Sequence, residues 1–250
     1  MKKKYILYLT GIVLFSSCIS QNNKLMVIGH RGAMGHETEN TLASVQKALD
    51  LGVDMIEIDV FRIVSGEIVV FHDERVERLA NGGGRIEEYN IVDLKQLILD
   101  GNHKIPMLQE VLRLIDNKVR LNIELKGANT ADRVNFITGK YIENNGWAPN
   151  NFLISSFNWD ELKKTRELNK EMAIAVLTDG DPLEAIPIAK ELKAESINPN
   201  FEKLDVETVK QIHDAGFKVY TWTVNSADDI ERIKNMGVDG IFTNFPERAH

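Results

Sequence analysis

The sequence has one cysteine, six prolines and no apolar run long enough to cross a bilayer. A single cysteine excludes any disulfide within the chain. The prolines are scattered, and no Pro/Gly/Ser-rich linker divides the chain, so two small hinged domains fit poorly. Positive charge is also scarce: 30 Lys and Arg against 37 Asp and Glu leave a formal net charge of −7. That balance disfavours non-specific nucleic-acid binding and attraction to anionic lipid. No G-x-G-x-x-G loop follows the first strand-like run, which argues against a dinucleotide-binding fold.

What is present begins with a targeting segment. Lys2, Lys3 and Lys4 precede an apolar stretch from Tyr5 to Phe15, short of the roughly 20 residues a spanning helix needs. Ser16-Ser17-Cys18 then supplies small residues and the sole cysteine. This arrangement resembles the lipobox of bacterial lipoproteins, although Phe15 stands where leucine is usual; ordinary secretory cleavage is the other reading. The resemblance implies a signal peptide over 1–17, a lipid-modified Cys18 and anchorage to the bacterial cell envelope. Loss of three lysines takes the net charge from −7 to −10. Lasting membrane attachment would therefore come from the lipid and not from a basic face. Residues 18–24 form a polar tether, and 25–250 are long enough for one sizeable domain.

That domain opens on Val27-Ile28-Gly29-His30-Arg31-Gly32, an apolar strand running into an acid/base, a fixed cation and a flexible residue. Asn40 is a plausible N-cap for a helix reaching Leu49. Met55 to Val60 alternates apolar and acidic residues, placing Glu57 and Asp59 on one strand face. Ser65-Gly66 then turns the chain into a second run, 67–71, that ends in His72-Asp73. Residues 75–105 break the rhythm with Asn81-Gly82-Gly83-Gly84 and a short helical pattern at 91–99, and read as a small insertion. Pro106 opens a further helix through Ile115. Strand-like runs follow at 121–126, 152–157, 173–178, 195–200, 218–224 and 240–245. Helix start signals stand between them at Asn158, Asp181-Pro182, Asp205 and Ser226. With the strands at Ile28 and Ile58 the count reaches eight, which predicts a (β/α)8 TIM barrel carrying a small insertion after the second strand region.

Such a barrel gathers its chemistry at the carboxyl ends of its strands. Those ends carry His30 and Arg31, Glu57 and Asp59, His72 and Asp73, Glu124 and Lys126, Ser155 and Ser156, and Trp222 and Asn225. Carboxylates pointing into a barrel are costly unless paired or bound to metal. Glu57, Asp59 and Glu124 are therefore expected to ligate one divalent cation, Ca²⁺ or Mg²⁺. A salt-bridge network with Arg31 and Lys126 is the other way to neutralise them. Two histidines suit proton transfer near neutral pH, and two cationic side chains suit an anion whose charge grows in the transition state. This set fits phosphodiester cleavage better than glycoside hydrolysis, which needs two carboxylates and no cations. His36, His103, His213 and His250 read as surface or loop residues, and Trp147 and Trp159 as packing.

The whole set resembles the glycerophosphodiester phosphodiesterase family. The matching motifs are His30-Arg31-Gly32, Glu39-Asn40-Thr41-Leu42, Glu57-Ile58-Asp59-Val60, His72-Asp73, Ile105-Pro106, Glu124-Leu125-Lys126 and Gly237 to Pro246, in order and spacing. The resemblance implies a (β/α)8 barrel with an insertion where 75–105 lies. It implies His30 and His72 as the acid/base pair, and Glu57, Asp59 and Glu124 as metal ligands. Arg31 and Lys126 would hold the phosphate, with Trp222 near the glycerol. The implied reaction is metal-dependent hydrolysis of a glycerophosphodiester to glycerol 3-phosphate and an alcohol. Lysophospholipase D or sphingomyelinase-D-like activity on lipid head groups is the second reading, and a non-catalytic solute-binding lipoprotein the third. Thr38 and Met107 replace the family's usual residues in two motifs but remove no implied ligand.

Overall fold

The computed structural model describes residues 24–249. The expected signal peptide, Cys18 and most of the tether lie outside the described residues. Among the described residues, no helix is long and apolar enough to cross a membrane.

Eight parallel strands close on themselves. They are β1 (Met26–Gly29), β2 (Met55–Arg62), β4 (Arg120–Leu125), β5 (Phe152–Ser156), β6 (Ile174–Thr178), β7 (Ser196–Pro199), β8 (Lys218–Thr221) and β9 (Gly240–Thr243), with β1 pairing both β2 and β9. A short strand β3 (Ile68–Val70) folds back antiparallel on β2, as the Ser65-Gly66 turn predicts. From Phe152 onward a strand begins every 22 residues, at 152, 174, 196, 218 and 240. The architecture is the (β/α)8 barrel expected from the sequence.

Period-two patterning places each strand's two faces. Ile56, Ile58 and Val60 point outward into the large core under the helices, while Ile28, Met55, Leu153, Ala175, Tyr220 and Phe242 form a smaller apolar cluster. The surrounding helices are α1 (Leu42–Asp50), α3 (Leu108–Ile115), α4 (Ala131–Asn144), α5 (Trp159–Leu168), α6 (Ile186–Leu192), α7 (Val206–Asp214) and α8 (Ala227–Asn235); α2 (Ile91–Leu94) belongs to the insertion. Asn158, Asp205 and Ser226 cap their helices as the sequence signals, and Asp181 caps the 3-10 turn before α6.

Several boundaries move. Thr41 caps α1 in place of Asn40, accepting from the Ser44 amide at 3.2 Å. Asn40 instead takes a left-handed φ of 58° and turns its side chain toward β2. The helix expected from Pro106 starts at Leu108, because Pro106 still pairs with β3 through its carbonyl. The helix expected over 91–99 is only Ile91–Leu94. The strand expected over 218–224 runs only to Thr221; Trp222 keeps a single bridge to Asn200, and Thr223 to Asn225 become loop.

The insertion has an apolar cluster of its own. Val76, Ile86, Leu94, Leu97, Leu99 and Ile105 pack against Phe61, Ile63, Val69 and Phe71 of the β2–β3 hairpin. It sits over the second strand's end of the barrel, beside the mouth.

Candidate active site

The turn after β1 is built around Gly32. Its φ is 83°, and a Cβ there would lie 2.5 Å from the Ser44 carbonyl carbon, so the close approach of α1 requires glycine. Arg31 before it is also left-handed, with φ 51°. This turn aims the Arg31 amide at Glu57 Oε2, 2.7 Å away.

Register then assembles the acidic residues. Glu57 pairs with Asn122 and Asp59 with Glu124, so the carboxylates of two adjacent strands project into one space. One oxygen from each of Glu57, Asp59 and Glu124 lies within 4.8 Å of the others. Glu57 and Asp59 are buried, and the Glu124 side chain is 12% exposed. Their charges are partly matched. Lys126 Nζ donates to Glu124 at 2.8 Å and stands 3.8 Å from Asp59, while Arg31 Nε stands 3.5 Å from Asp59. Asn40 donates to Asp59 Oδ2 at 2.8 Å and accepts from the Asp59 amide at 3.1 Å. Glu57 Oε1 is buried with no partner. Burial, then the neighbouring Asp59 and Glu124, push the Glu57 carboxyl well above its ordinary range. Burial and then Asp59 push Glu124 up to about 7. The salt-bridge network expected as an alternative is therefore present but leaves the cluster short of positive charge.

The histidines face this cluster from two sides. His30 Nδ1 lies 2.7 Å from Asn244 Oδ1, which fixes Nδ1 as the donor and leaves Nε2 with its lone pair. Burial, then Arg31, lower the His30 pKa to about 4, so the ring is neutral at pH 7. His72 follows Phe71, whose amide bonds the Asp59 carbonyl, and the His72 ring thereby reaches the same cavity. Its Nδ1 is 2.6 Å from Asp73 Oδ1, and its Nε2 is 3.4 Å from Lys126 Nζ. Hydrogen bonding from Arg78, chiefly, lowers the Asp73 pKa to about 2 and keeps that carboxylate charged behind the ring.

His30, Arg31, Glu57, Asp59, His72, Glu124, Lys126 and Trp222 all line one cavity of about 140 Å³ at the carboxyl ends of the strands. The opposite wall is apolar, with Phe157, Leu177 and Phe242 beside Trp222. Phe157 meets Trp222 edge-on at 5.4 Å, and Trp222 Nε1 is anchored on the Asn198 carbonyl at 2.8 Å. Other strand-end residues serve the frame. Asn225 accepts from the Asn244 amide at 2.8 Å, and Ser156 donates to the Leu125 carbonyl at 2.6 Å. His213 and His36 pair with Asp239 and Glu247 at the surface, and Trp147 is buried packing.

Sequence reasoning did not single out Phe157, Asn244, Arg78 or the separate tasks of Glu39 and Asn40. Alternation from Glu124 and Lys126 on the neighbouring strand offered a signal for Phe157. Glu39 accepts from Arg31 and Arg78, contacts visible only once the insertion is folded onto the barrel.

Comparison with known proteins agrees with this geometry. A glycerophosphodiester phosphodiesterase of Caldanaerobacter subterraneus is 34% identical, over 90% of this chain and 96% of that protein. One from Bacillus altitudinis is 33% identical, over 89% and 96%. The structure of an Oleispira antarctica phosphodiesterase in complex with the product sn-glycerol-3-phosphate superposes with a TM-score of 0.83 at 29% identity, covering 90% of this chain and 94% of that one. The model of the glycerophosphoryl diester phosphodiesterase family matches residues 30–248, and this chain belongs to that family.

Proposed function

We propose that this protein is a divalent-cation-dependent hydrolase that cleaves glycerophosphodiesters to glycerol 3-phosphate and an alcohol. The observation that carries the reading is the meeting of three carboxylates, two cationic side chains and two differently prepared histidines in one cavity. Family membership and the product-bound relative support it.

The acidic residues fit a hard cation. Glu57 Oε1 is a buried acceptor without a donor, and burial, then the neighbouring carboxylates, raise the Glu57 and Glu124 pKa values, a cost that a bound cation would relieve. Glu57, Asp59 and Glu124 would hold the ion, and Asn40 keeps Asp59 aimed at it. When bound, the cation supplies charge neutralisation of the phosphate and acidifies an attacking hydroxyl.

The remaining work falls to this chain's own groups. Arg31 and Lys126 offer donors to the non-bridging phosphate oxygens, whose charge grows during attack. The new P–O bond forms from water or from the glycerol's neighbouring hydroxyl, and the P–O bond to the alcohol breaks. In the second case water then adds to the cyclic phosphate and breaks its P–O bond to the attacking hydroxyl, giving glycerol 3-phosphate. His30 Nε2, with its free lone pair, is poised to accept the proton of the attacking hydroxyl. His72, backed by the Asp73 carboxylate, is poised to protonate the leaving oxygen at Nε2. Trp222 and Phe157 exclude water and cover the carbon skeleton of the glycerol. A small deacylated diester suits a cavity beside a polar, Gly-rich insertion better than a lipid substrate does. The lipobox-like Cys18 would tether this activity to the envelope.

The deciding experiment measures glycerol 3-phosphate released from glycerophosphocholine before and after EDTA, with Ca²⁺ or Mg²⁺ added back. Loss on chelation and recovery on repletion are expected; unchanged turnover after complete chelation removes the cation from the mechanism. Parallel assays on a lysolipid separate the head-group reading, and transient cyclic glycerophosphate marks attack by the glycerol hydroxyl.

A further inference from the structure

The insertion places one charged side chain behind the site. Arg78 stands in the turn from Val76 to Ala80, whose carbonyl and amide groups bond at 2.9 Å, and Val76 itself is fully buried in the insertion's apolar cluster. From this anchored base the Arg78 guanidinium donates in two directions. Its Nε bonds Asp73 Oδ2, while Nη1 and Nη2 bond the two oxygens of Glu39 at 2.9 and 2.7 Å. Asp73 Oδ1 faces His72 Nδ1, and Glu39 Oε1 also accepts from Arg31 Nη1 at 2.7 Å. An unbroken series of hydrogen bonds therefore runs His72–Asp73–Arg78–Glu39–Arg31, joining the two flanks of the cavity.

We propose that Arg78 is a positioning residue that holds the His72 imidazole and the Arg31 guanidinium in fixed relation across the cavity. The inference rests on the proton-transfer role given to His72 above. Arg78 does not line the cavity, so direct contact with substrate is not its task. The geometry needs a planar fork with donors on both edges, which lysine's single ammonium lacks. Its two partners differ in what else restrains them. The Glu39 side chain is 5% exposed and keeps Arg31. Asp73 is 26% exposed and, among the described residues, has only His72 as its other side-chain partner. Removing Arg78 therefore frees Asp73 to rotate toward solvent, and the His72 ring loses the acceptor that sets its orientation. The loss falls on proton transfer before it falls on phosphate binding. The insertion thus has a role in the site, because its packing fixes the base from which Arg78 reaches.

Arg78→Ala and Arg78→Lys test this, with Arg85→Ala as comparator. Arg85 lies on the same insertion and bonds Glu74 and Glu87, not His72, Asp73, Glu39 or Arg31. Arg78→Ala is expected to lower kcat about 10- to 100-fold, the range for an outer hydrogen-bonding partner, with a smaller change in KM and Arg85→Ala within about twofold of native. Millimolar guanidinium, but not matched KCl, is expected to restore part of the lost kcat. The downfield Nδ1–H proton resonance of His72 is expected to weaken in Arg78→Ala and persist in Arg85→Ala. A native-like kcat and resonance in Arg78→Ala, an equal loss in Arg85→Ala, or equal rescue by KCl overturns the inference. Absence of turnover by the native enzyme refutes the functional reading instead, and the resonance comparison still decides the role of Arg78. Should Arg78→Ala not fold, Arg78→Lys carries the same comparison, and native-like values there count against the proposal.

Discussion

Stripped of divalent cations, the protein should lose stability as pH rises through neutrality, because Glu57 and Glu124 must ionise against each other and Asp59. The folded pKa values of both are raised, so the native state binds more protons than the unfolded chain above the ordinary carboxylate range. Stability from this source is fully present below about 4.5 and is lost as pH climbs through about 7. Glu124 alone moves from 4.5 to about 7, worth about 3 kcal/mol at roughly 1.4 kcal/mol per unit. For a domain of this size that is about 6–12 °C in Tm. His30 works in the opposite sense, since its pKa is lowered to about 4 and its contribution is lost as pH falls below about 6.5. The quantity to read is therefore the difference in Tm between native protein and Glu124→Gln, in which His30 cancels. In chelator that difference should shift against the native protein by several degrees between pH 5 and pH 8. Saturating Mg²⁺ or Ca²⁺ at pH 8 should reverse it, since ligand at 100 times its Kd adds about 2.7 kcal/mol. A difference that stays flat with pH, together with no response to cation, refutes the electrostatic account of the cluster.

Other perturbations separate chemistry from scaffold. His30→Ala and His72→Ala should each lower kcat about 10²- to 10⁴-fold in steady-state assays while the melting temperature stays near native; full activity in either removes that ring from proton transfer. At the opposite end of the barrel, Arg120 holds Glu195 through two bonds of 2.7 Å, and Tyr220 donates to the same carboxylate at 3.1 Å. Arg120→Met should destabilise by about 2–3 kcal/mol in urea unfolding, below the 3–5 of a fully enclosed pair because both side chains keep some solvent contact. Its kcat should be unchanged, and a catalytic defect in folded protein would contradict this separation of roles. Gly32→Ala should cost about 1–3 kcal/mol from overpacking against Ser44, with added strain from the left-handed backbone, and should also lower activity by displacing Arg31. A neutral result by calorimetry would mean that α1 yields more readily than its packing indicates.

The order of strands and the gathering of the candidate residues at the strand ends were legible because both rest on local pattern. Glu57 and Asp59 stand two residues apart on a strand, and that spacing alone puts them on one face. Helix starts at Asn158, Asp205 and Ser226 were readable because a cap is a contact within one turn. Asn40 was misread for the same reason. Its side chain suits a cap, yet the backbone takes a left-handed turn and sends the amide 19 residues away to Asp59. Likewise the 218–224 run is apolar and β-prone, but the regular strand ends at Thr221 and, after a single bridge from Trp222 to Asn200, the chain leaves the sheet with Trp222 lining the cavity.

By itself the sequence determined the eightfold β/α alternation, the shared face of Glu57 and Asp59 and the chemistry available at the strand ends, because periods of two and 3.6 are properties of short segments. Only the tertiary structure decided which charges remain uncompensated. Glu57 Oε1 is left without a donor, while Asp59 gains Asn40 and Glu124 gains Lys126. It also decided that Arg78, from an insertion with its own apolar cluster, joins Asp73 to Glu39 behind the histidine. Such outcomes depend on barrel closure and on register between strands far apart in the chain, and no local pattern encodes either.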